Sequence, residues 1–137
     1  MIIDAKDQIL GRLGAYVAKR TLLGEEVTIV NCDQAIITGN KDRLLRDIKN
    51  ASDRGTHKGP FIPKRSDYYV KRAIRGMLPH KQPKGRDAYK RIRCYVGVPE
   101  KMQGEKLTKP TDSDISRLAN VKYIRIKEAC RHLGGKL

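Results

Sequence analysis

Between Arg54 and Arg93 the sequence places thirteen lysines and arginines against two carboxylates, Asp67 and Asp87. Residues of that type at that density do one kind of chemistry well, the neutralisation of a polyanion. A phosphate backbone is the usual polyanion, because each protein cation that replaces a condensed counterion releases it to solution. The sign is almost unmixed, whereas a merely solvated helical face interleaves both signs. Gly59, Pro60, Pro63 and Gly85 put much of this charge on loops, where backbone can approach phosphate closely. An anionic membrane surface is the competing polyanion. No stretch here pairs a basic face with a broad Leu or aromatic face, which that role requires.

Catalytic chemistry finds little to work with. Gly11-Arg12-Leu13-Gly14 sits where a strand gives way to a helix, and a helix N-terminus binds anions cheaply. Its spacing is neither that of a dinucleotide fingerprint nor that of a phosphate loop, which needs a Lys and a hydroxyl. A tight turn with close helix packing is the simpler reading, and any anion at Arg12 is more in keeping with nucleic acid than with a free nucleotide. A nucleotide-dependent enzyme built on this turn is thus the weaker rival. His57, His80 and His132 have no partner at catalytic or metal spacing; His80, beside Lys81, suits a phosphate or sugar contact or a plain exposed loop equally. Asp67 and Asp87 suit helix capping better than acid–base work. No Ser or Cys has the setting of a nucleophile. Cys32, Cys94 and Cys130 are widely spaced, with no Cys-x-x-Cys pair, and read as reduced, buried thiols. No enzyme activity, cofactor or metal is expected.

The elements that must carry the basic stretch are visible in the flanking residues. Residues 1–53 hold eight bases and eight acids, and residues 94–137 nine and five, so the middle supplies most of the net +15. Met1 to Ala5 reads as a strand, and Leu13, Val17 and Leu22 recur at helical spacing until Gly24. Val27-Thr28-Ile29-Val30 is β-branched throughout, a buried strand, which predicts a βαβ unit and a parallel sheet. Ala35 to Thr38 is extended. Asn40 caps a helix over 41–52, with Leu44, Leu45, Ile48 and Ala51 on its inner face. In the middle, His57 to Arg65 is a loop or arm, a helix runs from Ser66 or Asp67 to Gly76, Lys81 to Gly85 is a second loop, and Arg86 to Arg91 a short helix. Arg93 to Val98 and Tyr123 to Ile126 read as strands, and Lys127 to Leu133 as a last helical turn. One α/β domain of 137 residues follows: a neutral core over 1–53, a basic segment over 54–93, and a closing strand and tail over 94–137. The arm over 54–65 repels itself and has little to bury, so it is expected to be partly disordered alone.

Aromatic residues make up only 5%, with no Trp and one Phe. That argues against a single-strand binder built on stacking platforms and favours backbone and shape readout. No apolar run reaches the roughly 20 residues of a membrane span, and the acidic start fits neither a signal nor a transit peptide. A cytoplasmic protein is expected.

Two longer segments are more specific. Arg75-Gly76-Met77-Leu78-Pro79-His80-Lys81, and Gly85-Arg86-Asp87-Ala88-Tyr89-Lys90-Arg91-Ile92-Arg93-Cys94-Tyr95-Val96-Gly97, resemble the signature of the L13 family of large-subunit ribosomal proteins. Gly11-Arg12-Leu13, Val30-Asn31 and Thr38-Gly39 match as well, so the resemblance covers about residues 2–99 and leaves the tail from Lys101 unplaced. Gly97-Val98-Pro99-Glu100 follows the archaeal and eukaryotic branch, and without a long helical C-terminal extension an archaeal source is expected. The resemblance implies a three-layer α/β/α fold around a parallel four-stranded sheet. It also implies a structural role in the large subunit, binding its 23S-type RNA beside neighbouring ribosomal proteins. On that reading Arg54, Lys58, Lys64 and Arg65 thread between RNA helices, while Lys71, Arg72 and Arg75 share one side of a helix over a backbone. Met77-Leu78-Pro79 forms a rigid apolar turn, packed on the core or against a ribose or base face. Lys81, Lys84, Gly85, Arg86, Lys90, Arg91 and Arg93, with His80 and Arg12, meet further phosphates. The Arg positions should matter most, since a guanidinium holds phosphate bidentately. A free-standing nucleic-acid-binding protein acting off the ribosome is the alternative that charge alone leaves open.

Overall fold

A computed structural model describes residues 1–136. Its order is β1 (Ile2–Asp4), α1 (Leu10–Leu22), β2 (Val27–Val30), β3 (Ile36–Thr38), α2 (Lys41–Asp53), α3 (Ser66–Gly76), α4 (Pro83–Lys90), β4 (Ile92–Cys94), β5 (Tyr123–Arg125) and α5 (Ile126–His132), with short 3-10 turns between them. The fold is mixed α/β. β1, β2 and β4 form a parallel sheet in that order, Ile3 lying beside Ile29 and Ile29 beside Cys94.

Strand alternation sends Ile3, Val27, Ile29 and Ile92 to one face, where they are fully buried against Leu13 and Val17 of α1 and Val70 and Ile74 of α3. Each such side chain contributes about 1.5–3 kcal/mol by leaving water. The opposite face shows Ile2 and Thr28 half-buried and Arg93 exposed. α1 stops where expected: Lys19 and Arg20 occupy its last turn, at the negative end of the helix dipole, and Gly24 follows in the left-handed region at φ 100°. Gly14 is a packing residue, since a Cβ there would lie 2.8 Å from the Met77 Sδ. Gly11, by contrast, faces open space. The Gly-x-x-Gly segment is thus not a tight turn but part of α1, and its Gly14 serves helix packing.

The expected four-stranded parallel sheet is a three-stranded one here. Next to β1 stands the single bridged residue Thr108, which donates to the Ile2 carbonyl at 2.9 Å and accepts from the Asp4 N–H at 3.1 Å. Pro110, two residues on, has no N–H with which to continue a ladder. β3 pairs antiparallel with β5, Ile37 opposite Ile124. The tail is therefore part of the core structure. Ser113 donates from its hydroxyl to the fully buried Gln8 Oε1, and the Ile115 N–H donates to the Asp7 carbonyl at 3.0 Å.

α2 begins as expected, the Asn40 side chain accepting from Asp42 N–H at 3.0 Å and Arg43 N–H at 3.4 Å. None of its residues is fully buried, and Ala51, expected on the inner face, is exposed. The helix meets the body near its start, where Lys41 pairs with Glu128 of α5.

Candidate nucleic-acid interface

The basic segment is positioned by a turn and two helices. α3 lies on α1, and its C-terminal end runs into Met77 and Leu78. Leu78 is buried, and the Pro79 carbonyl accepts the Gln82 N–H at 2.9 Å. Pro83 opens α4, where its missing N–H costs nothing. Gly85 then passes so close to the turn that a Cβ would overlap the Pro79 carbonyl and lie 2.9 Å from the His80 nitrogen. That approach seats α4 on the turn and leaves His80, Lys81, Lys84 and Arg86 exposed. Lys81, Lys84 and Arg86 have no ion-pair partner among the described residues.

Beside α4 lies the outer face of α3. Lys71 sits 4.9 Å from the centroid of the Tyr89 ring, and Arg75 is exposed one turn away. Burial pushes the Tyr89 hydroxyl above its usual value, so the ring under Lys71 is neutral at physiological pH. At the start of the helix Arg65 lies 5.0 Å over the Tyr68 ring and pairs with Asp67 at 2.7 Å. Arg72 does not share this face. One residue on from Lys71 is about 100° around the helix, and Arg72 turns to the arm, donating to the Phe61 carbonyl at 3.0 Å. The arm thus has two anchors, this bond and the approach of Gly135 to the Lys64 backbone. Arg54, Lys58 and Lys64 project from it into solvent.

Several expected contact residues have other work in the fold. Leu78 and Gly85 are buried and offer no surface to a ligand; one fills the core and the other allows the close approach just described. Met77, 41% exposed, packs over Gly14, and Pro79 supplies the carbonyl beneath α4. Arg91 donates to the Thr21 carbonyl at 3.2 Å and closes the C-terminal end of α1. Lys90 lies 3.8 Å from Asp87, a loose exposed pair worth little. Arg93 is exposed on β4, where it lines a cleft with Lys71 of α3.

Arg12 is exposed and donates to the Asp112 carbonyl at 3.3 Å. With Arg117 and Lys122 of the tail it rims a hollow of about 460 Å³ beside the start of α2. Neither tail cation was expected there; the pairing of β3 with β5 brings them in, and nothing local in the sequence signals it. The arrangement as a whole offers exposed cations and aromatic faces. No group of three or more potential metal ligands occurs among the described residues, and none of their helices is long and apolar enough to cross a membrane.

Residues 1–101 match the family model described as Ribosomal protein L13. Curated relatives extend the similarity through the tail. The Large ribosomal subunit protein uL13 of Archaeoglobus fulgidus is 43% identical over 135 residues, covering 97% of this chain and 86% of that protein. Those of Methanosarcina barkeri and Methanocaldococcus jannaschii are 43% and 44% identical, each alignment covering 98% of both chains. With matches of this extent to archaeal proteins, the chain belongs to the ribosomal protein L13 family in its archaeal form.

Proposed function

We propose that the protein is a structural constituent of the large ribosomal subunit in the cytoplasm. It binds the large-subunit RNA through phosphate contacts, stabilises the folded RNA during assembly and sits among neighbouring ribosomal proteins. The observation that carries this reading is the surface of Arg75, Lys81, Lys84 and Arg86, four exposed cations without acidic partners among the described residues, held by a turn whose geometry depends on Gly85. The names of the archaeal relatives place those proteins in the same particle. Folded RNA crowds phosphates together, and fixed cations offset that repulsion without ordering mobile ions. The role calls for no catalytic group. Thr108 supports the four-stranded sheet implied by the family, occupying the fourth position beside β1.

The test has two parts. Tagged protein should sediment with large subunits and remain after a high-salt wash; recovery only in the free fraction favours a nucleic-acid-binding protein acting off the ribosome. Purified protein should prefer large-subunit RNA to an unrelated folded RNA of equal length across a salt series, and equal affinity for the two would leave only a general polyanion binder.

A further inference from the structure

A cleft of about 210 Å³ opens between the start of α3 and the end of β4, lined by Asp67, Tyr68, Lys71, Arg93, Cys94 and Tyr95. Aromatic residues are scarce in the sequence, yet three of the six tyrosines gather here, since Tyr89 lies under Lys71. Tyr68 is 55% exposed and backed by Arg65, so one side of its ring is braced and the side chain is accessible. The cleft is smaller than the roughly 300 Å³ at which small-molecule sites begin, and so it suits a single flat ring system. Its lining also contains an acid of the basic segment: the Asp67 side chain is 13% exposed, held by Arg65 and by the Tyr68 N–H at 2.9 Å. A carboxylate repels phosphate. It attracts the N–H edge of a base, and each of its oxygens retains a lone pair for a further donor.

We propose that this cleft takes one unstacked base of the bound RNA, stacked on Tyr68, its N–H edge turned to the Asp67 carboxylate and its phosphate near Lys71. The inference rests on the RNA-binding reading above and adds a base-reading site to a surface otherwise suited to phosphate. Splayed single-stranded bases on aromatic side chains are the usual route to sequence-dependent RNA contact.

The experiment measures affinity for a large-subunit RNA transcript over a salt series with wild type, Tyr68→Ala, Tyr68→Phe and Asp67→Asn. Tyr68→Ala should weaken binding on the order of 5- to 150-fold at every salt concentration, the range seen for loss of one stacked base. The salt slope should not change, because no phosphate contact is lost. Tyr68→Phe should bind within about twofold of wild type, since it keeps the ring. Asp67→Asn gives the sharper sign: a surface that meets phosphate alone would bind more tightly when a negative charge goes, whereas a base edge loses an acceptor and binding weakens. Unchanged or tighter binding by Asp67→Asn, or a Tyr68→Ala variant equal to wild type, overturns the cleft and leaves the phosphate surface standing. Failure of wild type to prefer the ribosomal RNA overturns both. Tyr68 is exposed enough for the variants to fold, which circular dichroism checks.

Discussion

Gly85→Ala should damage both the fold and the RNA surface. A Cβ at this position cannot coexist with the Pro79 carbonyl or with the His80 nitrogen 2.9 Å away. Both obstacles are backbone, so no rotamer relieves them, and α4 must lift from the turn. Overpacking of this kind costs about 1–3 kcal/mol. The Gln82 N–H to Pro79 carbonyl bond at 2.9 Å is then strained or lost, adding about 1 kcal/mol. The variant should therefore be about 2–4 kcal/mol less stable in urea unfolding, with Tm lower by on the order of 10 °C. Lys84 and Arg86 ride on α4 itself, and Lys81 on the turn that leads into it. If the lifted helix withdraws all three from phosphate, the slope of log affinity against log salt becomes shallower by about 2–3. Gly11→Ala is the control, because its Cβ meets nothing within 4 Å and α1 gains helix propensity of up to about 1 kcal/mol. A Gly85→Ala protein with wild-type stability and an unchanged slope would refute the claim that this close approach seats the basic helix.

Other consequences follow from the same contacts. Burial alone would raise the Asp4 pKa, but the Asn31 amide, the Lys6 N–H and Lys109 together hold it below its usual value; its contribution is then present at neutral pH and lost as pH falls through the lowered folded value. Asp4→Asn should cost about 1–2 kcal/mol at pH 7, and its difference from wild type in urea unfolding should shrink below about pH 4. The arm over residues 54–65 should be the first site of limited proteolysis in the free protein and become protected on RNA binding, with equal resistance in both states counting against this. Gly135→Ala, which sets a Cβ against the Lys64 backbone and 2.8 Å from the Cys130 carbonyl oxygen, should speed that cleavage several-fold.

Elements with local signals were legible in the sequence. The Asn40 cap, the β-branched run of β2 and the helical spacing of α1 each carry their cause within a few residues, and they fall within a residue or two of expectation. α4 began earlier than expected, at Pro83, because a proline ahead of Gly85 reads as loop while it equally favours the first position of a helix. What the sequence does not reveal is long-range pairing. The tail bonds to residues 2–9 across about a hundred positions, and β3 finds β5 rather than the parallel sheet. Neither pairing leaves a periodic trace. The same limit applies to the site. Charge density located the basic segment, but a cation on phosphate and a cation on a carbonyl look alike in sequence, and so Arg91 stood with Arg86, and Arg72 with Lys71 and Arg75.

That difference can be measured, because it separates geometry from net charge. Arg65, Arg72, Lys90 and Arg91 each hold a protein partner: Asp67, the Phe61 carbonyl, Asp87 and the Thr21 carbonyl. Arg75, Lys81, Lys84 and Arg86 have no hydrogen-bond or ion-pair partner for their side chains among the described residues. Alanine at either quartet removes four charges from the same forty-residue segment. Long-range attraction falls equally in the two variants and is screened within about 10 Å at 0.1 M salt. Counterion release requires a cation at the phosphate, so the second quartet should lower the salt slope by about 3 and the first by less than about 1. Stability should move the other way, the first quartet losing on the order of 2–3 kcal/mol, largely through the α1 cap and the arm anchor. If that variant does not fold, its four single substitutions carry the same comparison, since slopes for separate contacts add. Equal losses of slope from both sets would mean that net charge alone governs binding and that the partners seen in the structure yield to RNA.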